Sequence, residues 1–345
     1  MASRIHKLLA LAAVAGSLLG TPRAYSGPLG NLINKQINSH GDGPIWSEHL
    51  ESFKGVNQVV LGQFTVVFLT KTVSYSGGGF FSNNNESKAI GQLAGVDSST
   101  FQRVTDAIFE DFKAKLAHQG VTVADPAGYY ANPYYQRVHS EEQGHPVTVP
   151  LEDKQSVEGQ AWWPTTLAHH DNMALALRFM DAGVRDVYTA QYDYARNAKI
   201  PVLNVVYVVD FAEPAKSSGA GIFQSLNVKA EIAISPRGSQ LQLMDTSGKV
   251  GKLVINKPLV EGGSFAEIKN ITSGVQKTAE TAQMLGNIGG ALFGGSHSNH
   301  MFGKQMRMDR RIEYSVTDPK VYGDLVVHAG SQTNDLILGQ FGLAR

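Results

Sequence analysis

Histidines set beside carboxylates or beside one another are the residues of this chain with the most obvious chemical potential. His169-His170-Asp171 and His297-x-x-His300 each place imidazoles close together along the sequence, and imidazole with carboxylate is a zinc donor set. Two features argue against chelation. Adjacent residues on a helix point in different directions, so His169 and His170 do not converge on one ion. His297 and His300 lie in a Gly/Ser/Asn tract, where solvated loop side chains are the default. The expectation is therefore no metal and no cofactor. Carboxylates able to serve glycosidic chemistry occur at Glu141, Glu142, Glu152, Asp153 and Glu158, but their spacing singles out no acid and base pair. The chain carries no Gly-x-Ser-x-Gly elbow, no His-Glu-x-x-His and neither of the glycine-rich phosphate or dinucleotide loops. No residue is assigned a catalytic role.

Aromatic side chains supply the second candidate. Tyr129, Tyr130, Tyr134, Tyr135, Trp162 and Trp163 fall in one irregular stretch separated by polar turns. Such rings can form a flat stacking surface for sugars or peptides, and they are the candidate ligand-binding residues. The competing role is to fill a seam between two layers of secondary structure.

The elements that must position these residues begin after an export signal. Arg4, His6 and Lys7 give a basic start, and Leu8 to Gly20 is an uncharged apolar run of 13 residues. Thr21-Pro22 breaks it, and Ala24-Tyr25-Ser26 offers small residues at a cleavage site before Gly27. A stable membrane anchor needs about 20 apolar residues, so residues 1–26 read as a secretory signal peptide. No later stretch reaches that length, and the mature chain is expected to have no transmembrane segment. Removal of the signal leaves 27 basic against 30 acidic residues, which gives no positive excess to hold nucleic acid. The chain has no cysteine. That excludes a lipid-modified cysteine and fits a Gram-negative envelope, with the protein in the periplasm, associated with the outer membrane or extracellular.

Residues 27–54 are polar and Gly/Asn-rich and read as a flexible lead-in, with Trp46 as an anchor. Residues 55–125 form a first α/β unit. In it, Asn57 to Ser76 is β-branched and aromatic, bent or divided at Gly62, and Lys88 to Val96 returns beside it. A helix follows from Thr100 to His118, with a capping box at Ser99 and Gln102, an apolar stripe of Phe101, Val104, Ile108, Phe112 and Leu116, and a stop at Gly120. Residues 126–199 are the aromatic-rich connecting region, with a helix expected over His169 to Ala182. Residues 200–260 form a β-meander unit led by Ile200 to Phe211, apolar enough to be buried on both faces. Residues 261–303 read as a helix from Phe265 to Leu285 and a Gly-rich tract. Residues 304–345 read as a C-terminal β segment, with strands at Ile312 to Val316, Leu325 to His328 and Leu336 to Leu338. The expected class is α/β or α+β, with mixed β-sheets and a few packed helices in two related layers.

This order of a β segment, a capped helix ending at Gly120 and a strand continues with the long strand to Phe211, the loop Ser217 to Gly221, the alternating strand Leu226 to Ile234 and the turn Asp245-Thr246-Ser247-Gly248-Lys249. Over about residues 56–255 it resembles the periplasmic domain of CsgG-like curli-secretion proteins and, more loosely, the N-terminal domain of TolB. The resemblance implies a soluble α/β scaffold and an envelope setting. The chain departs from it in having no cysteine to lipidate. Its segment between Phe211 and Leu226 is also shorter than two membrane-crossing strands of about 9–11 residues each, so the resemblance carries over no pore. The expected function is that of an exported, non-enzymatic envelope or surface protein, accessory to an envelope or secretion structure, whose partners are envelope proteins or further copies of itself. The alternative is a periplasmic polysaccharide-binding protein or hydrolase using the aromatic residues.

Overall fold

The computed structural model describes residues 43–76, 87–137, 143–150, 156–167, 182–214, 228–236, 238–272 and 309–344. In chain order they form β1 (Ile45–Glu48), β2 (Gln58–Leu69), β3 (Lys71–Ser76), β4 (Ser87–Ala94), α1 (Ser98–His118), β5 (Thr122–Ala124), α2 (Ala127–Tyr130), β6 (His145–Pro150), β7 (Ser156–Trp162), α3 (Ala182–Ala198), β8 (Val202–Pro214), β9 (Val228–Ile234), β10 (Gln240–Met244), β11 (Val250–Ile255), β12 (Leu259–Glu261), β13 (Ala266–Asn270), β14 (Asp309–Val316) and α4 (Pro319–Ala344). Short 3-10 turns lie at Leu50–Phe53 and Tyr135–Arg137. The fold is mixed α/β. Ten strands make one mixed sheet with the path β1-β11-β10-β8-β2-β7-β6, and four make a second in the order β13-β14-β4-β3.

The central pair, β2 and β8, runs parallel. Both strands are apolar almost throughout, and β2 is buried from Val59 to Leu69, the pattern of strands covered on both faces. Gly62 interrupts their register. A Cβ there would lie 2.6 Å from Val202 Cγ1 and 2.7 Å from Asn204 Oδ1, so the bulge at this point admits only glycine. The long β run does bend at Gly62, and it divides later, at Thr70. The Thr70 amide donates to Glu158 O in the large sheet at 2.9 Å, while its carbonyl accepts from Leu93 N in the small one at 3.0 Å. One residue thus hands the chain from the first sheet to the second.

Helices α1 and α4 cover one face of the large sheet. The apolar stripe of α1 is buried at Phe101, Val104, Ile108, Phe112 and Leu116. Its partner α4 presents Tyr322, Val326, Ala329, Ile337 and Phe341 at helical spacing. The two helices approach closely because α4 is small where they touch. A Cβ on Gly330 would come within 2.7 Å of Ile108. The opposite face carries α3, α2 and the turn at Tyr135–Arg137, packed over Val60, Val202 and Met244.

The N-cap of α1 is Asp97 and not Ser99. The Asp97 carboxylate accepts from Thr100 N at 2.7 Å and from Ser99 Oγ at 2.9 Å. Gln102, the expected other half of a capping box, instead donates to Trp163 O at 3.0 Å and to Asp106 at 3.2 Å. Hydrogen bonds from the Thr100 hydroxyl and amide, and then from Ser99, hold the Asp97 carboxyl below the usual aspartate value. A depressed folded-state pKa contributes stability above the unfolded value of about 3.9, and the contribution disappears as pH falls through the folded value. Asp97→Ala should therefore melt below the parent at neutral pH, and the difference should vanish in strong acid. Paired thermal melts at the two pH values check both parts.

Three further expectations are revised. Residues 43–54 of the lead-in are structured: β1 pairs with β11, and Phe53 is buried against Phe341. The C-terminal segment is a strand only at β14. From Pro319 it is the helix α4, because Tyr322, Val326, Ile337 and Phe341 share one helical face, and that face packs against α1 and the sheet. Phe265 leads into strand β13 and not a helix, with Ala266 to Asn270 laddered to Val316 to Ile312. The rest of the expected helix to Leu285 lies outside the described residues. So does the expected helix at His169 to Ala182 apart from its last residue, where α3 starts.

Candidate functional site

The six candidate aromatic residues do not meet in one surface. Tyr129, Tyr130 and Tyr135 gather beneath α3, with the Tyr129 and Tyr135 rings 4.6 Å apart and Tyr194 5.5 Å from Tyr129. Trp162 lies on the other face of the sheet, where it pairs with Val66 and packs 5.9 Å from Phe101. Trp163 is buried next to it, and its backbone is clamped by the Gln143 side chain at 2.7 Å and 3.0 Å. Tyr129, Tyr135, Trp162 and Trp163 are buried, Tyr130 is half-buried, and Tyr134 alone is exposed. The four buried ones and Tyr130 fill the space between the sheet and the elements covering it, whereas Tyr134 stands at the surface with Arg137 over its ring.

Burial also removes several phenols from proton chemistry. It pushes Tyr129 and Tyr207 far above the ordinary tyrosine range. Tyr314 and Tyr322 rise for the same reason, helped by the charge of Asp210. Asp210 is itself buried at a bulge of β8, with its Oδ1 accepting from Phe211 N at 2.8 Å and Ala212 N at 3.3 Å.

A polar line that sequence spacing could not show crosses the large sheet under α3. The registers place Gln63, Asn204, Gln242, Lys252 and Glu48 side by side on β2, β8, β10, β11 and β1. Each residue belongs to a different strand, so only the ladder brings them together. Gln63, Asn204 and Gln242 are buried, whereas Lys252 and Glu48 are half-exposed. Amides thus occupy the dry centre and charges appear where water reaches, as the cost of burying an ion requires. Gln191 of α3 donates to Asn204 Oδ1 at 3.3 Å, and Gln63 donates to Thr65 Oγ1 at 2.9 Å. At the outer end, Lys252 and Glu48 pair at 3.0 Å.

That outer end opens into a cleft of about 390 Å³ lined by Glu48, His49, Glu51, Tyr188, Gly248, Lys249, Val250 and Lys252. His49 lies 3.3 Å from Glu51, and Lys249 lies 4.0 Å from it. The backbone amide of Glu51, and then His49 and Lys249, hold its carboxyl below the usual range. Glu51 is therefore an ionised acceptor at neutral pH and no reservoir of protons. The turn carrying Lys249 is tied down by Asp245 Oδ1, which accepts from Ser247 N at 2.8 Å and Lys249 N at 3.0 Å. Such a set can hold a ligand by hydrogen bonds.

The sequence-level metal candidates at His169, His170, Asp171, His297 and His300 lie outside the described residues, as do Glu141, Glu142, Glu152 and Asp153. Glu158 is exposed and bonded to Lys71. Among the described residues no group of three or more potential ligands is placed to hold a metal ion. No described helix is long and apolar enough to cross a membrane. No family model, no curated protein and no solved structure matches this chain.

Proposed function

We propose that this protein is an exported component of a Gram-negative envelope that works without catalysis, by associating with copies of itself or with other envelope proteins. The export reading comes from residues 1–26. The association reading is carried by one observation, the outer edge of the four-stranded sheet. Strand β13 pairs among the described residues only with β14. Across that ladder Ile268 stands opposite Tyr314, so the two side chains share the core-facing side. Tyr314 is 1% exposed and Ile268 is 41% exposed. The face that forms the core thus runs out to solvent at β13, beside a row of backbone groups able to accept another strand. Glu267 and Lys269, paired at 3.3 Å, lie on the other side of the strand and leave Ile268 uncovered. The likeness in element order to CsgG-like envelope proteins supports the same setting.

The test is the size of the purified mature chain by light scattering over a range of concentrations, with capture of partners from native envelopes. A defined oligomer or a co-purifying envelope protein is expected. Ile268→Lys should weaken the association by at least about tenfold, the effect of about 1.4 kcal/mol at an interface core. A strictly monomeric parent that captures no envelope protein overturns the reading. The rival use of the six aromatic residues for polysaccharide gains no support from their placement, since four of them are buried.

A further inference from the structure

We infer that the cleft at the β1 edge of the large sheet is a binding site for a neutral polyhydroxylated ligand, a short glycan. It is an open cleft of about 390 Å³, so a ligand held there keeps part of its surface in water. Three properties of its wall define the ligand.

The first is charge compensation. Glu48 is paired with Lys252 at 3.0 Å, and Glu51 with Lys249 at 4.0 Å and His49 at 3.3 Å. Two carboxylates and two ammonium groups balance, so the wall carries no net charge to select an anion or a cation, and a neutral ligand leaves both pairs intact. The second is the hydrogen-bonding inventory. Paired carboxylates keep spare lone pairs and paired ammonium groups keep spare N–H donors. Together they offer both donors and acceptors, and hydroxyl groups, which donate and accept, match them in any order. The third is Tyr188 of α3, 41% exposed in a cleft whose other lining residues are charged or polar apart from Gly248 and Val250. An aromatic ring beside polar groups is a platform for the C–H face of a pyranose.

The wall is also built rigidly. Gly248 has φ +91°, and a Cβ there would lie 2.2 Å from the Tyr192 ring, so the turn carrying Lys249 is pressed onto α3. His49 holds φ 49° and ψ 53°, a left-handed conformation that a non-glycine residue keeps only when its surroundings enforce it. Binding on a preformed wall avoids the cost of ordering it. The site lies at the β1 edge, on a different sheet from β13, so ligand binding and strand addition can be tested separately.

Saturation-transfer NMR on the mature chain with maltotriose, and separately with triacetylchitotriose, tests the proposal. Transfer to the ring C–H protons of at least one trisaccharide is expected, with millimolar affinity. Tyr188→Ala should weaken it about tenfold, and Tyr188→Phe should restore it, since the ring and not the hydroxyl is the platform. Circular dichroism of both variants should match the parent because Tyr188 is exposed. The proposal is overturned by an absence of transfer from both sugars, by transfer that Tyr188→Ala leaves unchanged, or by loss of transfer on addition of inorganic phosphate at constant ionic strength.

Discussion

Phe64→Ala is expected to lower stability by about 3–5 kcal/mol, the largest single effect in this molecule. Phe64 sits on the central strand β2, buried, and its ring meets Phe109 at 5.1 Å, Phe112 at 5.5 Å and Tyr207 at 5.8 Å. It therefore joins the middle of the sheet to α1. Removing the ring forfeits its transfer free energy and leaves a cavity between rigid elements that cannot collapse to fill it. Against a total of about 5–15 kcal/mol for an ordinary domain, such a variant is close to unfolding. Urea titration should show a much lower midpoint with an unchanged slope. Phe64→Leu, which keeps most of the volume, should cost less than about 1.5 kcal/mol. Equal losses for the two variants would mean that this aromatic junction is not a packed core.

Asn334→Leu is expected to follow, at about 3 kcal/mol. Asn334 is fully buried in α4 and satisfies three neighbours. Its Oδ1 accepts from Tyr207 Oη at 2.7 Å, and its amide nitrogen donates to Ile108 O at 3.1 Å and Asp111 Oδ2 at 2.8 Å. The residue thus bonds the central strand β8 to both covering helices. Leucine matches its size but strands the buried Tyr207 phenol and removes a second bond from the Ile108 carbonyl, which keeps its helical partner, and a stranded polar group costs more than a made bond gains. Asp111 keeps Lys115 at 3.0 Å, which limits the loss. Tyr207→Phe, removing one bond, should cost about 1–2 kcal/mol. A double-mutant cycle should show coupling between the two sites. Strict additivity would count against a shared network.

The elements legible in the sequence are those whose partners are large and apolar. β2, β8 and α1 were readable because Val59 to Leu69, Val202 to Phe211 and the stripe from Phe101 to Leu116 bury aliphatic and aromatic side chains at regular periods. α3 and α4 were not, for a common reason. Their buried positions include Ala190, Gln191 and Ala195 in one, and Ala329, Gly330, Thr333 and Asn334 in the other. Small and polar residues at a helix interface look like loop or strand until the opposing surface is known. The β-branched pairs in α4, such as Val326-Val327, pull a local reading further toward strand. The cap of α1 was misplaced by two residues because Asp97, Ser98 and Ser99 are all able to cap, and only geometry selects among them. The candidate site lay beyond local reading altogether. Gln63, Asn204, Gln242, Lys252 and Glu48 become neighbours through strand registers, which no spacing along the chain encodes.

The handover at Thr70 gives the molecule a defined path for mechanical force. A pull applied at β13 passes through β14 and β4 to β3, and β3 continues within one residue into β2, the middle of the large sheet. With its amide tied to β7 and its carbonyl to β4, Thr70 leaves no slack to absorb extension. Tension on the small sheet therefore arrives at the most buried strand of the large one as shear along its hydrogen bonds. The load must first cross the ladders of the small sheet in series, so the five-residue β13–β14 ladder should part before β2 yields, and the large sheet should outlast the rim.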